Sequence, residues 1–335
     1  MIRRRVPDLV LDAAHARARA REAGEWAEAD RLRTEIEAAG WKVVDRGTDF
    51  ALSPAAAPDV VDEGRVRYGT SSSVPSRLDD AAIGTATLVL VATDWPEDLE
   101  RALSGLREHA PDAVHVVVVA NAPAPAQAAT LEAIDALEPG RPGIRTEIVW
   151  TSERLGQAAA LNAGIRRAEA PVVILLDTSA EPTGDLVSPL VAALDDDGVA
   201  LAGPWGVRSS DLRRFEEAPP GDVDAIDLAC LAFRRADYTE RGPLDERFVL
   251  AANLDVWWSF VLRDAGAGRH RRAVRLEDLP VARHERRDPP GLADSDRNRL
   301  VKRSFYRVLD QFGGRRDLLV GAASDGRPPG GEAAP

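Results

Sequence analysis

ERLGQAAALNAGIRRAEAPVVILLDTS, residues 153–179, sets two patterns end to end. Its first part is rich in alanine, lacks proline and predicts a helix over residues 155–170. After Pro171 come five apolar residues, Val172–Leu176. A short run with no polar alternation fits a strand covered on both faces. That strand runs straight into Asp177, and a carboxylate delivered this way sits at the C-terminal edge of the sheet, where α/β folds bind ligands. Two places later stands Ser179, not a second acid.

The same alternation repeats on the N-terminal side. TATLVLVA (85–92) reads as a buried strand, and PEDLERALSGLREHA (96–110) as an amphipathic helix with Pro96 in its first turn. AVHVVVVAN, APAQAATLEAIDAL and RTEIVWT continue as strand, helix, strand. Four strand–helix alternations with continuously apolar strands predict an α/β fold: a mostly parallel sheet with helices on both faces. Beyond Asp177 the order is looser. LVSPLVAALDD predicts a helix, VALAGPWGV a strand, and AIDLACLAFRRADY a strand running into a turn. LDVWWSFVLRDAG predicts a helix, RLEDLPVARHE a strand end, and DSDRNRLVKRSFYRVLDQFGG a late helix.

Towards the N-terminus, residues 8–39 predict two helices split at Gly24, and WKVVDRGTDFAL a hairpin turning near Arg46-Gly47. The expected organisation is a helical pair and hairpin (1–52), a Pro- and Ser-rich linker (53–80), a large α/β domain (81–290), a C-terminal helix (291–320) and a disordered tail (321–335).

The 335 residues are 44% hydrophobic, enough for a substantial core. A net charge of −12 argues against a general nucleic-acid binder, which needs a basic face. The single Cys230 excludes a disulfide framework and a Cys-rich zinc site. No window approaches the roughly 20 apolar residues of a membrane span, and the basic start has too short an apolar run for a signal peptide. A soluble, cytoplasmic protein is the expectation. No Gly-x-Gly-x-x-Gly or phosphate-loop glycine run follows a strand, which argues against a dehydrogenase or nucleotidyltransferase.

Four blocks carry a resemblance: TDWPEDLERAL after the first strand, ERLGQAAALNAGIRRAEA, the strand ending in Asp177-Thr178-Ser179, and GPLDERFVLAANLDVWWSFVLRDAG. In this order, over about residues 85–285, they resemble family 2 glycosyltransferases of the GT-A fold. The resemblance implies a Rossmann-like GT-A domain and a nucleotide-sugar-dependent, hexosyltransferase-like enzyme. Such an enzyme moves a sugar to a carbohydrate or other hydroxyl acceptor with inversion. The alternative is a degenerate nucleotide-sugar-binding protein of the same fold. Residues 8–52, with GEWAEADRLRTEIEAAGWKVVDRGTDFAL, are similar to the small C-terminal piece of cysteinyl-tRNA synthetases. That piece has no catalytic residue here; docking on the large domain or a contact in a homo-oligomer is the expectation, with an RNA contact as the alternative.

Carried over residue by residue, the resemblance implies a donor site built by Asp94, Asn121, Arg154, Gly156, Asn162, Asp177 and Ser179. Asp94 serves the base or ribose, or caps the helix begun by Pro96. Asn121 stands where the family has a base-reading Asp. Arg154 and Asn162 correspond to ribose and diphosphate contacts, or to a surface ion pair and a helix-end cap. The family's Asp-x-Asp holds Mg²⁺ or Mn²⁺ through its last carboxylate; a hydroxyl at Ser179 is a much weaker ligand for a hard cation. A divalent cation held by Asp177, waters, the diphosphate and His284, replacement of the cation by cationic side chains, and loss of catalysis all stay open. Asp255 is the expected base, although counting from Asp245 and from Arg263–Gly266 places the family's acidic pair one residue apart. One of Trp257 and Trp258 is expected in the core and the other near the acceptor cleft, with Trp205 a further stacking candidate. Arg286 and Arg287, in a charged loop over 284–300, are placed to meet the diphosphate on closure.

Overall fold

The computed structural model describes residues 6–46, 49–62, 64–92, 94–136, 143–266, 270–287 and 292–320. The predicted turn at Gly47 and the tail at 321–335 lie outside them.

The N-terminal unit has its own small core. Helices α1 (Asp8–Glu22) and α2 (Trp26–Ala38) pack on the antiparallel hairpin β1 (Trp41–Arg46) and β2 (Asp49–Pro54). Val10, Ala14, Leu32, Ile36, Trp41 and Val43 form the buried cluster. Gly24 and Gly40 end the helices at φ +74° and +77°, in the left-handed region that glycine enters at no steric cost. Arg17 donates to both Asp45 carboxylate oxygens, at 2.7 and 3.1 Å, tying helix to hairpin.

The large domain is built on a ten-stranded mixed sheet. Its outer hairpin is β3 (Val60–Asp62) and β4 (Arg65–Tyr68). Next come β5 (Ala86–Ala92), α3 (Pro96–His109), β6 (Val114–Ala120), α4 (Pro125–Ala136), β7 (Ile144–Thr151), α5 (Gln157–Ile165), β8 (Val172–Leu176), β9 (Ala180–Pro182) and α6 (Val187–Ala193). The chain continues through β10 (Val199–Gly203), β11 (Gly206–Arg208), β12 (Glu216–Glu217), β13 (Gly221–Val223), β14 (Ala225–Ile226), β15 (Cys230–Arg234) and α7 (Arg235–Arg241). It closes with α8 (Leu254–Arg263), β16 (Arg272–Arg275), β17 (Val281–Arg283) and α9 (Asp294–Phe312). Strand order is β13-β16-β10-β15-β8-β5-β6-β7-β4-β3. β8, β5, β6, β7 and β4 run parallel; β15 enters antiparallel beside β8.

The apolar runs explain the layers. Every residue of β6 and β8 is buried, as a strand covered on both faces must be. On one face Leu99, Leu103 and Leu106 of α3, Leu131 of α4 and Leu190 of α6 pack on the sheet. On the other lie α5, α8 and α9, through Leu161, Trp258, Phe260 and Phe312.

Two expectations need correction. Residues 53–80 are not a plain linker, because Val60–Asp62 and Arg65–Tyr68 pair as β3 and β4, and β4 extends the sheet beside β7 (Arg67↔Trp150). The sheet therefore begins before residue 81. VALAGPWGV is two strands in different sheets: proline, which lacks an N–H for a ladder, falls at Pro204 between β10 and β11.

Candidate active site

Loops at the C-terminal ends of β5, β6, β7 and β8 carry Asp94, Asn121, Arg154 and Asp177, as parallel topology requires. Asp94 does not cap α3. Its carboxylate accepts from the Ala124 N–H (2.8 Å) and from Arg154 (2.5 Å). Burial pushes its pKa up, but these donors outweigh burial and hold it below the usual carboxylate value.

Asn121 is occupied by the chain. Its Nδ2 donates to the Leu155 carbonyl (3.0 Å), and its Oδ1 accepts from the Leu155 N–H (2.7 Å). The amide thus splints the loop that carries Arg154 and does not present itself to a base. Gly156 follows, and a Cβ there would stand 3.1 Å from Val249 Cα, so glycine lets the 248–249 segment close on the loop. Replacing Asn121 with Ala would leave the Leu155 N–H and carbonyl unpaired. The expected cost is about 1–3 kcal/mol in urea denaturation; unchanged stability would refute the splint.

Asn162 is a correction. It is 2% exposed and spends its amide inside the fold: Nδ2 donates to the Leu244 carbonyl (2.9 Å) and Glu246 (3.1 Å), while Oδ1 accepts from Tyr238 and the Leu244 N–H. It fastens the Leu244–Glu246 block to α5 rather than touching a diphosphate. The motif is therefore framework on both sides.

At the end of β8, Asp177 Oδ1 accepts from the Ser179 N–H (3.0 Å) and from the Ser179 hydroxyl (2.6 Å). Its other oxygen lies 3.0 Å from Arg286 Nη2. Ser179 is 3% exposed and turns its proton inward to Asp177. His284 Nε2 is 2.6 Å from Glu181 Oε2. Asp177, Ser179 and His284, the donors expected for a divalent cation, are each engaged with another side chain. Among the described residues no group of three or more His, Cys, Asp or Glu is arranged to hold a metal ion. As arranged, this donor set does not fit such an ion.

Asp255 lies in the first turn of α8, entered through Asn253 at φ +63°, a left-handed position that asparagine tolerates. The positions one count gave the acidic pair hold Asn253 and Leu254, which carry no acid, so Asp255 is the carboxylate of this turn. Burial, and after it the charge of Asp227, push the Asp255 pKa up to about 7; the Val256 N–H and Arg286 pull the other way. The helix terminus alone would have lowered it. Arg286 thus sits against Asp177, and its charge also reaches Asp255, 78 residues further along the chain.

Asp227 is the residue that sequence reasoning missed. It follows the two-residue β14, too short an apolar run to announce a strand end. It accepts from the Ala229 N–H and pairs with Arg283 at 2.7 Å. Arg283 lies over the Trp205 ring, 5.0 Å from its centre. Arg287 pairs with Glu97 (2.6 Å) and lies over Trp95 (4.6 Å). The tryptophan expectation is corrected too: Trp257 and Trp258 are 7% and 0% exposed, and both belong to the hydrophobic core.

Residues 87–240 match the model of glycosyl transferase family 2. Among curated proteins none matches the chain. Similar solved structures include the mannosyltransferase PcManGT from Pyrobaculum calidifontis with GDP-Man and Mn²⁺. It is 17% identical at a TM-score of 0.48, over 77% of this chain and 79% of that one. GalNAc-T7 with UDP, GalNAc and Mn²⁺ is 14% identical at 0.52, over 77% of this chain and 51% of that one. S. aureus TarS 1-349 with UDP-GlcNAc is 13% identical at 0.48, over 68% and 67%. The chain spans about half the length of GalNAc-T7, and the likeness to it shows a shared fold, that of the GT-A glycosyltransferases.

Proposed function

We propose that this chain, whose residues 87–240 match the family 2 glycosyl transferase model, moves a sugar from a nucleoside-diphosphate donor to a hydroxyl acceptor with inversion. The observation that carries the reading is Asp177 at the C-terminal edge of the sheet, paired with Arg286 at 3.0 Å, with Asp255 close enough to feel the charge of the same guanidinium.

The chemistry follows from the roles these groups can fill. The acceptor oxygen forms a bond to the anomeric carbon as the bond from that carbon to the diphosphate oxygen breaks. The bonding electron pair leaves with the diphosphate, and the acceptor proton passes to Asp255. A carboxylate with a pKa near 7 is well matched to this task, since a substantial share is ionised at neutral pH yet the group is basic enough to take a proton. Asp94 and Arg154, placed by the Asn121–Leu155 splint, line the donor side. The sugar and acceptor bear on Asp255 from the α8 side, with half-buried Trp205 near Arg283 as an aromatic face.

Incubation with a panel of UDP- and GDP-sugars tests the reading. Turnover of at least one donor is expected, with product of inverted anomeric configuration by NMR. Retained configuration would remove Asp255 as a one-step base. Nucleotide binding without hydrolysis or transfer would favour the degenerate binding protein, the reading that the missing second acid at Ser179 supports.

A further inference from the structure

We propose that Arg286 stands in for the divalent cation, supplying the positive charge that meets the donor's diphosphate. The inference rests on the transferase reading above. Three observations carry it. First, the position where a second acid would hold a cation is Ser179, whose hydroxyl donates to Asp177 instead. Second, the remaining Asp177 oxygen faces a guanidinium at 3.0 Å, the place where a cation would be expected to sit. Third, the segment bearing Arg286 is held in register and not merely nearby. β17 pairs with β9 (Arg283↔Ala180), and the His284 N–H donates to the Ser179 carbonyl at 2.8 Å. Arg286 therefore begins two residues beyond a ladder anchored on the Asp177–Ser179 turn.

The neighbouring basic side chains have carboxylate partners of their own away from Asp177. Arg283 is on Asp227, His284 on Glu181, and Arg287 on Glu97 and Asp98. Arg286 faces the carboxylate at the centre of the edge and is about one-third exposed, so it can reach an incoming anion. Guanidinium carries a planar fork that matches two phosphate oxygens at once, and it keeps its proton at any working pH. In the transfer step, the electron pair released from the anomeric carbon arrives on a diphosphate oxygen, and Arg286 neutralises the charge developing there. Asp177 holds the guanidinium in place before the donor arrives.

Isothermal titration of the full chain with UDP and with GDP, in excess EDTA and then in Mn²⁺, is the test. Binding of one of them in EDTA is expected, with affinity altered less than about threefold by Mn²⁺. Arg286→Ala should weaken that binding by at least about tenfold, the lower end for loss of a charge-assisted pair, and Arg286→Lys should recover part of it. Melting curves identify any variant that fails to fold; Arg286→Lys, which keeps charge and bulk, then serves alone. Binding that appears only with Mn²⁺, or that Arg286→Ala leaves intact, overturns the assignment while leaving a nucleotide-dependent transferase standing. Absence of binding to either nucleotide under both conditions overturns this assignment and the transferase reading together.

Discussion

Asp255→Asn is expected to lower kcat by about 10²–10⁴-fold, the range for loss of a general base, with the affinity for the nucleoside diphosphate nearly unchanged. In the native protein kcat should rise with pH and level off above about 7, because Asp255 works only after losing its proton. The variant should lose that limb. Stability separates chemistry from misfolding, and its sign is opposite. The folded pKa of about 7 lies above the ordinary 3.8, so the fold favours the protonated acid. That contribution is complete below about 3.8 and is lost as pH rises through about 7. Asparagine is never charged, so at pH 8 the variant should melt no lower than the native chain. Full activity in a folded variant would sink the base assignment.

Which parts of this were legible follows from where the determining contacts lie. β5, β6 and β8 could be read because burial on both faces makes a strand uniformly apolar whatever its neighbours are. The β3–β4 hairpin could not. Its residues are largely exposed, and it becomes strand through β7, with Arg65 and Arg67 lying over Trp150 at 4.3 and 5.3 Å. Nothing within VVDEGRVRY announces a partner some 80 residues away.

The site divides in the same way. Asp177 was legible because an unbroken apolar run points to it, and Asp255 because it is the one carboxylate in its window. The functions of Asn121 and Asn162 were not, since an amide at a motif position reads alike whether it meets a ligand or the backbone. Only the fold shows Leu155 and Leu244 taking up their hydrogen bonds. Arg286 stood out as a loop cation, but its partner is 109 residues back, and the turn at Ser179 that leaves Asp177 one free oxygen is a three-dimensional fact.

The position of Asp255 depends on how α8 is seated, and Trp258 is the side chain that seats it. Trp258 is fully buried, with ring centres 5.6 Å from Phe233 on β15, 5.9 Å from Tyr238 on α7 and 6.1 Å from Trp257. Trp258→Ala should cost about 3–5 kcal/mol in urea denaturation, the range for emptying an aromatic core position. Set against a typical total of about 5–15 kcal/mol, that is a large share. Trp258→Phe isolates the cause. The indole N–H has no hydrogen-bond partner among the described residues, so phenylalanine loses volume and ring contact but no bond. Its cost should be well below that of alanine. Because the lost contacts anchor the helix that carries Asp255, the alanine variant should also lose kcat at temperatures where it is still folded, while UDP or GDP affinity, which the proposal assigns to the β5–β8 loops and Arg286, changes less. If Trp258→Ala costs under 1 kcal/mol, or if nucleotide affinity falls with kcat in step, α8 is not the independent platform for the base that the packing around Trp258 describes.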